Sequence, residues 1–206
     1  ILPASLQGIW NDKVVDVPPE LRILSQHFPY IQGGHYNGIF SYISRDRNPQ
    51  HRGYITMDCG GIKRRFLCVL VGNYNESGLR WDNFAGKKVN RSLEKDQWFT
   101  IEFLIYKVRL EYYTLSCPED KPDKSQPKSW KLLGSNDGNS WTLIHQMTDC
   151  KKMNTRKPTM VFKCSQSTEF YTHFKFIQLE NHSKSPESKY EFTLNHIEFF
   201  GEVQKL

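Results

Sequence analysis

The chain has no apolar stretch long enough to cross a bilayer, and its mean hydropathy is -0.63. Because a spanning helix needs about 20 predominantly apolar residues, no transmembrane helix is expected. An initiator methionine and a charged-then-apolar leader are also absent. We therefore expect Ile1 to be an internal position of a longer polypeptide or the start of a processed segment.

Motifs typical of enzymes are absent as well. The sequence contains no Gly-x-Ser-x-Gly elbow, no His-Glu-x-x-His zinc motif, no phosphate-binding loop and no dinucleotide fingerprint. Its histidines are dispersed, and no Cys-x-x-Cys pair is present. The sequence thus predicts a protein that is not an enzyme, with no catalytic residues, no metal site and no cofactor.

Aromatic residues, by contrast, are abundant: they make up 14% of the chain, with 13 Phe, 10 Tyr and 5 Trp. Large flat side chains suit the space between two packed sheets. Phe99, Ile101 and Phe103 alternate with polar residues, which is typical of a half-buried strand. We predict an all-β chain, and 206 residues suit a single sandwich.

The strongest local signal is residues 129–141, SWKLLGSNDGNSW. Two arms, each opened by a tryptophan, flank an Asn-Asp-Gly turn, and Gly138 tolerates the positive φ that such turns need. This segment predicts a β-hairpin.

The first 35 residues differ from the rest of the chain. Four prolines and the pair Gly33-Gly34 interrupt any regular period there, and three large aromatic residues indicate that the segment docks onto a surface. We predict an N-terminal arm or linker over residues 1–35 and a single domain over residues 36–203.

Four segments, in order along the chain, resemble motifs of discoidin domains, also called coagulation factor V/VIII type C domains. They are residues 92–103 (SLEKDQWFTIEF), 129–141, 174–179 (FKFIQL) and 194–201 (LNHIEFFG). Lys95 stands where the family usually has proline. Residues 36–43 (YNGIFSYI) further resemble the lead-in of intracellular members from single-celled eukaryotes. The resemblance implies a discoidin-type jelly-roll β-sandwich, barrel-like in shape, that binds a ligand without catalysis.

In discoidin domains, ligands meet the loops at one end of the sandwich. By resemblance, the candidate ligand-binding residues are Tyr74, Asn75, Leu79, Arg80, Trp81, Asp82, Asn83, Asn90, Arg91 and Glu94. Lectin-type members use polar side chains and an aromatic, and lipid-binding members use apolar tips over a basic collar; Trp81 with Arg80 and Asp82 fits both. Some members also hold calcium in this loop. Asp82 and Asn83 supply too few of the roughly six to eight oxygens that calcium needs for a site to be predicted.

Positive charge exceeds negative charge, with a formal net charge of +6 and a pI near 9.0. The predicted basic face comprises Arg45, Arg47, Arg52, Lys151, Lys152, Arg156 and Lys157. Such blocks can steer anionic partners, although a merely solvated surface is the alternative. No nucleic-acid motif accompanies them, so we predict a protein partner, of which an acidic filament such as tubulin is one example, and not nucleic acid.

The five cysteines are odd in number and lack the placement that staples the first and last strands of secreted discoidin domains. This favours a reducing compartment, and we predict a cytoplasmic protein, with a cytoskeletal or ciliary location within that class. Asn-x-Ser sequons at Asn75, Asn90 and Asn181 favour the alternative, an extracellular protein.

The main functional hypothesis is a binding module for protein partners, acting through end loops and the basic face on a rigid scaffold. One alternative is a structural subunit of a ciliary or cytoskeletal assembly. The other is an extracellular adhesion domain that binds carbohydrate or lipid.

Overall fold

The computed structural model describes residues 24–44, 49–50, 52–59, 71, 97–117, 121–165, 169–186 and 192–206. Within these ranges the chain forms nine strands, one short α-helix and a single 3-10 turn. The elements are β1 (Ser25–Phe28), α1 (Ile39–Ile43), β2 (Ile55–Cys59), β3 (Gln97–Phe103), β4 (Tyr106–Ser116), β5 (Pro127–Ser135), β6 (Thr142–Met147), the 3-10 turn (Lys151–Met153), β7 (Thr159–Lys163), β8 (His173–Asn181) and β9 (His196–Lys205).

The strands form two sheets in which every pairing is antiparallel. The four-stranded sheet has the order β1, β9, β4, β7, and the five-stranded sheet has the order β2, β3, β8, β5, β6. The predicted all-β sandwich is confirmed. In this order β6 and β7 are edge strands, one in each sheet.

The predicted hairpin is confirmed as β5 and β6, which pair from Trp130 opposite Met147 to Gly134 opposite Thr142. Gly138 has a φ of 71°. Its turn is held by a carboxylate, because an oxygen of Asp137 accepts hydrogen bonds from the backbone N–H groups of Asn139 (2.8 Å) and Ser140 (2.7 Å).

Aromatic rings from both sheets fill the core. Phe99 and Phe176 stack with centroids 5.4 Å apart, and Phe174 meets Phe199 of the opposite sheet edge to face at 5.0 Å. Trp130 is fully buried. The polar residues between these positions lie on the outer faces, as the period of two predicts.

A buried carboxylate joins two of the quoted motifs. Glu198, on β9, is fully buried, and its oxygens accept hydrogen bonds from the backbone N–H groups of Phe40 (2.7 Å), Ser41 (3.0 Å) and Phe199 (2.9 Å). It therefore satisfies N–H groups that the first turn of α1 leaves without partners. A Cβ atom on Gly38 would collide with the Phe199 carbonyl, so only glycine fits beside this carboxylate.

The described part of the predicted N-terminal arm contributes a strand to the sandwich. Ser25–Phe28 pairs with β9, with Phe28 opposite Gly201 and Ser25 opposite Gln204, so part of the segment predicted as an arm is a strand of the four-stranded sheet. Its sequence, SQHF, lacks apolar alternation, and Phe28 is the one buried side chain of this edge strand. At the other end β9 runs to Lys205. Residues 1–23 lie outside the described residues.

Candidate functional site

The predicted ligand-binding loop falls outside the described residues. This applies to Tyr74, Asn75, Leu79, Arg80, Trp81, Asp82, Asn83, Asn90, Arg91 and Glu94, and also to Arg45 and Arg47 of the predicted basic face. Their role stays a prediction. Of the three sequon asparagines, Asn181 is described. It is buried, and its Oδ1 accepts a hydrogen bond from the Ser183 N–H at 3.0 Å.

The described members of the predicted basic face occupy two places. Lys151 and Lys152 lie in the 3-10 turn after β6, and Arg156 and Lys157 follow in the same connection. Arg52 precedes β2, at the opposite edge of the five-stranded sheet from β6. The structure therefore brings the second basic block together and leaves Arg52 apart from it.

This block borders a pocket, which we call the edge cleft, between the free edges of the two sheets. It has a volume of about 850 Å³. Residues of the β6 end, the 3-10 turn and β7 line it: His35, His145, Met147, Asp149, Cys150, Lys151, Lys152, Thr159, Met160, Val161, Phe162 and Lys163. The two strands that bound the cleft have no further strand beside them among the described residues.

A chain of hydrogen bonds fixes the histidine in the floor of the cleft. The indole N–H of Trp130 donates to the hydroxyl of Tyr113 at 2.7 Å, and that hydroxyl lies 2.7 Å from Nδ1 of His145. The phenolic oxygen therefore accepts from the indole, and its contact with Nδ1 holds the imidazole ring in place. Burial lowers the pKa of His145, which keeps the ring neutral.

The charges around the cleft are mainly positive. Lys151, Lys152 and Lys163 line it, and Asp149 is the acidic residue among its lining residues. Lys151 lies 4.0 Å from Asp149, whereas Lys152 and Lys163 have no ion-pair partner in the described part of the chain. Burial raises the pKa of the Cys150 thiol, so it stays protonated at neutral pH. The cleft thus combines an apolar floor with a rim that attracts anions.

A second surface lies on the outer face of the five-stranded sheet. Nζ of Lys175, on β8, is 4.5 Å from the ring centroid of Trp98 and 5.5 Å from that of Trp141. Both indoles are only half-buried. An ammonium over an aromatic face is attracted by the negative charge density of the ring. We call Trp98, Trp141, Lys175 and their neighbours Glu102 and His173 the tryptophan face.

The polar members of the tryptophan face are held in place by one another. Glu102 lies opposite His173 in the β3–β8 ladder, with Oε1 3.5 Å from His173 Nε2, and its Oε2 accepts a hydrogen bond from Thr56 at 2.9 Å. Nδ1 of His173 is 2.8 Å from the hydroxyl of Thr172. Both side chains remain partly accessible, at 22% for His173 and 28% for Glu102. Carboxylate, imidazole and ammonium groups therefore share one face with two indoles.

Sequence reasoning missed both surfaces. The alternation of β3 was available, since it places Trp98 on the face opposite Phe99. Lys175 joins Trp98 only through the pairing of β3 with β8, and the edge cleft exists only because β6 and β7, in different sheets, end those sheets on the same side. Among the described residues, no cluster of His, Cys, Asp and Glu could hold a metal, and no helix could span a membrane.

No protein-family model matches the chain, and no curated protein matches it. Solved structures do match. One is CBM32-3, a carbohydrate-binding module from a family 31 glycoside hydrolase of Clostridium perfringens. It is 10% identical, the alignment covers 84% of this chain and 99% of the module, and the TM-score is 0.55. Another, CBM32-5 from the same organism in complex with GalNAc-beta-1,3-galactose, is 19% identical over 74% of this chain and 98% of its own, with a TM-score of 0.46.

At this identity the likeness to the first module concerns the fold. The module is matched over nearly its whole length, and the alignment covers most of this chain. The chain therefore has the discoidin-like β-sandwich fold of carbohydrate-binding modules.

Proposed function

We propose that the protein is a non-catalytic carbohydrate-binding module, and that the tryptophan face contributes to its sugar site. The observation that carries the proposal is the pair of half-buried indoles, Trp98 and Trp141, on either side of Lys175. The likeness of the fold to a carbohydrate-binding module supports it. Half-buried tryptophans gathered on an outer sheet face leave apolar surface in water, which is typical of a binding site.

Indole faces suit the apolar side of a sugar ring. The face of an indole is negatively polarised, and the C–H groups on one side of a pyranose are weakly positive, so the two surfaces attract and exclude water together. Lys175 shows that this environment already accepts a positively polarised group. A sugar stacked on the outer part of either ring would meet the ammonium with its hydroxyl groups.

The neighbouring polar groups can supply the specificity. The ammonium of Lys175 donates, the carboxylate of Glu102 accepts, and the imidazole of His173 can donate or accept according to its tautomer. Such groups orient a polar ligand while the aromatic surface contributes most of the contact area. The roles of Trp81, Arg80 and Asp82 in the predicted loop site are tested in the same assay.

This proposal replaces protein binding as the main hypothesis. The similar folds are carbohydrate-binding modules, and they give no support to tubulin, a cilium or the cytoskeleton as a partner or location. Those remain predictions of the sequence alone.

The test is a glycan array followed by calorimetric titration of the best ligand. We expect Trp98→Ala and Trp141→Ala each to weaken binding about tenfold, equivalent to about 1.4 kcal/mol. Tyr112→Ala is the matched control, because Tyr112 is a partly exposed aromatic on the other sheet. We expect it to change the affinity less than twofold.

Three further outcomes separate the parts of the proposal. Loss of binding in Trp81→Ala, with Trp98→Ala and Trp141→Ala unaffected, would keep the carbohydrate function and move the site to the predicted loop. Loss in Tyr112→Ala equal to that in the tryptophan variants would indicate general destabilisation, and would reject the tryptophan face. An array without any bound glycan would reject the carbohydrate function.

A further inference from the structure

The edge of β7 that faces away from β4 offers unpaired backbone groups. Cys117 N–H donates to the Pro158 carbonyl and Cys164 N–H donates to the Glu111 carbonyl, at the two ends of the β4–β7 ladder. Hydrogen-bonded pairs alternate in an antiparallel ladder, so Met160 and Phe162 also direct their backbone groups toward β4. The backbone N–H and C=O groups of Thr159, Val161 and Lys163 therefore point outward.

No described residue takes up these outward groups. The hydrogen bonds of the described chain include none to the backbone of Thr159, Val161 or Lys163, and β7 ends its sheet. All three residues line the edge cleft. An edge strand in this condition is a template on which an extended segment can add as a further strand.

We propose that the edge cleft docks an extended acidic segment of a partner protein, which adds as a strand to β7. The charge of the cleft selects the chemistry of the segment, because Lys152 and Lys163 line it without ion-pair partners among the described residues. Glutamate or aspartate side chains on one face of the added strand would pair with these two ammonium groups.

The interior of the cleft suits the other face of the added strand. Met147, Met160 and Phe162 supply apolar surface, and methionine adapts to side chains of different shape. The hydrogen-bond chain through Tyr113 fixes the imidazole ring of His145, a further polar group, in the same cleft. Alternating acidic and apolar residues are therefore the sequence pattern that fits, since successive side chains of a strand point to opposite faces.

The probe is a fluorescein-labelled heptapeptide of alternating glutamate and valine, whose binding is measured by fluorescence anisotropy. Two control peptides carry N-methyl groups on every second backbone nitrogen, one in each phase, and a third has lysine in place of glutamate. We expect the first peptide to bind saturably. We expect the lysine peptide not to bind. At least one of the two N-methylated peptides should bind at least tenfold more weakly than the unmethylated glutamate peptide.

Two double variants test the role of charge in the chain itself. We expect Lys152→Gln/Lys163→Gln to weaken peptide binding at least fivefold. The matched control, Lys107→Gln/Lys205→Gln, removes the same two charges from β4 and β9, outside the cleft, and should change binding less than twofold. Equal losses in the two double variants would mean a general electrostatic attraction and would overturn the proposal.

Val161→Pro tests the backbone contact. The Val161 N–H faces away from β4, and proline is tolerated at edge positions of this kind, so the variant removes one outward donor and leaves the ladder to β4 intact. We expect binding to fall at least tenfold. If thermal denaturation shows that the variant is unfolded, the natural protein is used instead. Its Val161 and Lys163 amide signals should then shift and become more protected from exchange when the peptide is added.

Other results would overturn the proposal. Undiminished binding of both N-methylated peptides would exclude strand addition. An acidic protein segment would be excluded as the occupant if the glutamate peptide did not bind. It would also be excluded if a heparin-derived tetrasaccharide bound saturably at Lys152 and Lys163 in place of the peptide.

Discussion

Two carboxylates do the same task in two regions of the molecule, with opposite consequences for their acidity. Glu198 accepts backbone hydrogen bonds from α1 and β9 in the fully buried core, and Asp137 accepts them from Asn139 and Ser140 in the exposed hairpin turn. Burial raises the pKa of Glu198 from 4.5 to about 7 against the effect of its hydrogen bonds. The N–H groups of Ser140 and Asn139 hold the pKa of Asp137 well below 3.8.

The difference shows that solvation, and not the number of hydrogen bonds, decides which protonation state folding favours. Both groups accept backbone N–H bonds, which favour the charged form. In the turn, water also solvates the charged form, so the hydrogen bonds lower the pKa of Asp137. In the core, desolvation of the carboxylate disfavours the charged form by more free energy than the hydrogen bonds favour it.

The largest expected effect is that of removing the buried carboxylate. Glu198→Ala leaves the N–H groups of Phe40, Ser41 and Phe199 without their acceptor in the core. An unsatisfied buried group costs about 1–3 kcal/mol, so we expect the free energy of unfolding to fall by about 4 kcal/mol. The free energy of unfolding is measured by urea denaturation, and the control is Glu202→Ala, on the same strand as Glu198. Glu202 is partly exposed, and its loss should cost about 1 kcal/mol or less. Equal losses for the two variants would contradict the capping role.

The next effect is a dependence of stability on pH. The folded pKa of Glu198 is higher than its unfolded pKa of 4.5, so the folded state retains a proton that the unfolded state releases. The contribution to stability is complete below about pH 4.5 and is lost as pH rises through about 7. We expect a loss on the order of 2 kcal/mol between pH 5 and pH 8.

Glu198→Gln isolates this dependence, because it removes the titrating group and leaves all others. The low pKa of His145 acts in the opposite direction, since a group kept neutral by burial stabilises the fold as pH rises. The difference between the two pH profiles therefore reports Glu198 alone. Parallel profiles for natural protein and variant would show that Glu198 does not titrate in this window.

The smallest effect should come from the exposed turn. Asp137→Asn keeps one acceptor oxygen but removes the charge, and we expect a fall in melting temperature at pH 7 that is smaller than that of Glu198→Ala. The stabilisation by Asp137 is present above about pH 4 and is lost as pH falls through its lowered pKa. Amide exchange at Asn139 and Ser140 should quicken in the variant at neutral pH. In the natural protein it should quicken only in strong acid.

Much of the fold could be predicted because its signals are local. The hairpin depends on an Asn-Asp-Gly turn between two short arms, β3 shows a period of two throughout, and β4 shows it as far as Leu110. β1 could not be predicted as a strand, since Ser25–Phe28 has a single inward apolar residue and is a strand only through its hydrogen bonds to β9. The segment predicted as an arm therefore includes a strand that its own sequence does not indicate.

The candidate sites were much less predictable than the fold. The basic block at Lys151 and Lys152 was visible as charge, but the cleft beside it depends on the meeting of β6 and β7. The tryptophan face needs the register that sets Thr100 opposite Lys175, which brings the lysine next to Trp98. The predicted loop around Trp81 stays a prediction, because the described residues do not include it.

By itself the sequence determined the sandwich class, the turn at Gly138 and which side chains of β3 face the core, because turn chemistry and alternation act between close neighbours. Only the tertiary structure decided that Glu198 caps a helix 158 residues earlier in the chain, that Lys175 lies between two indoles and that β6 and β7 line one cleft. Those features depend on which strands become neighbours and which remain at an edge. Which strands become neighbours depends on the packing of the whole core, so no short segment of the sequence indicates it.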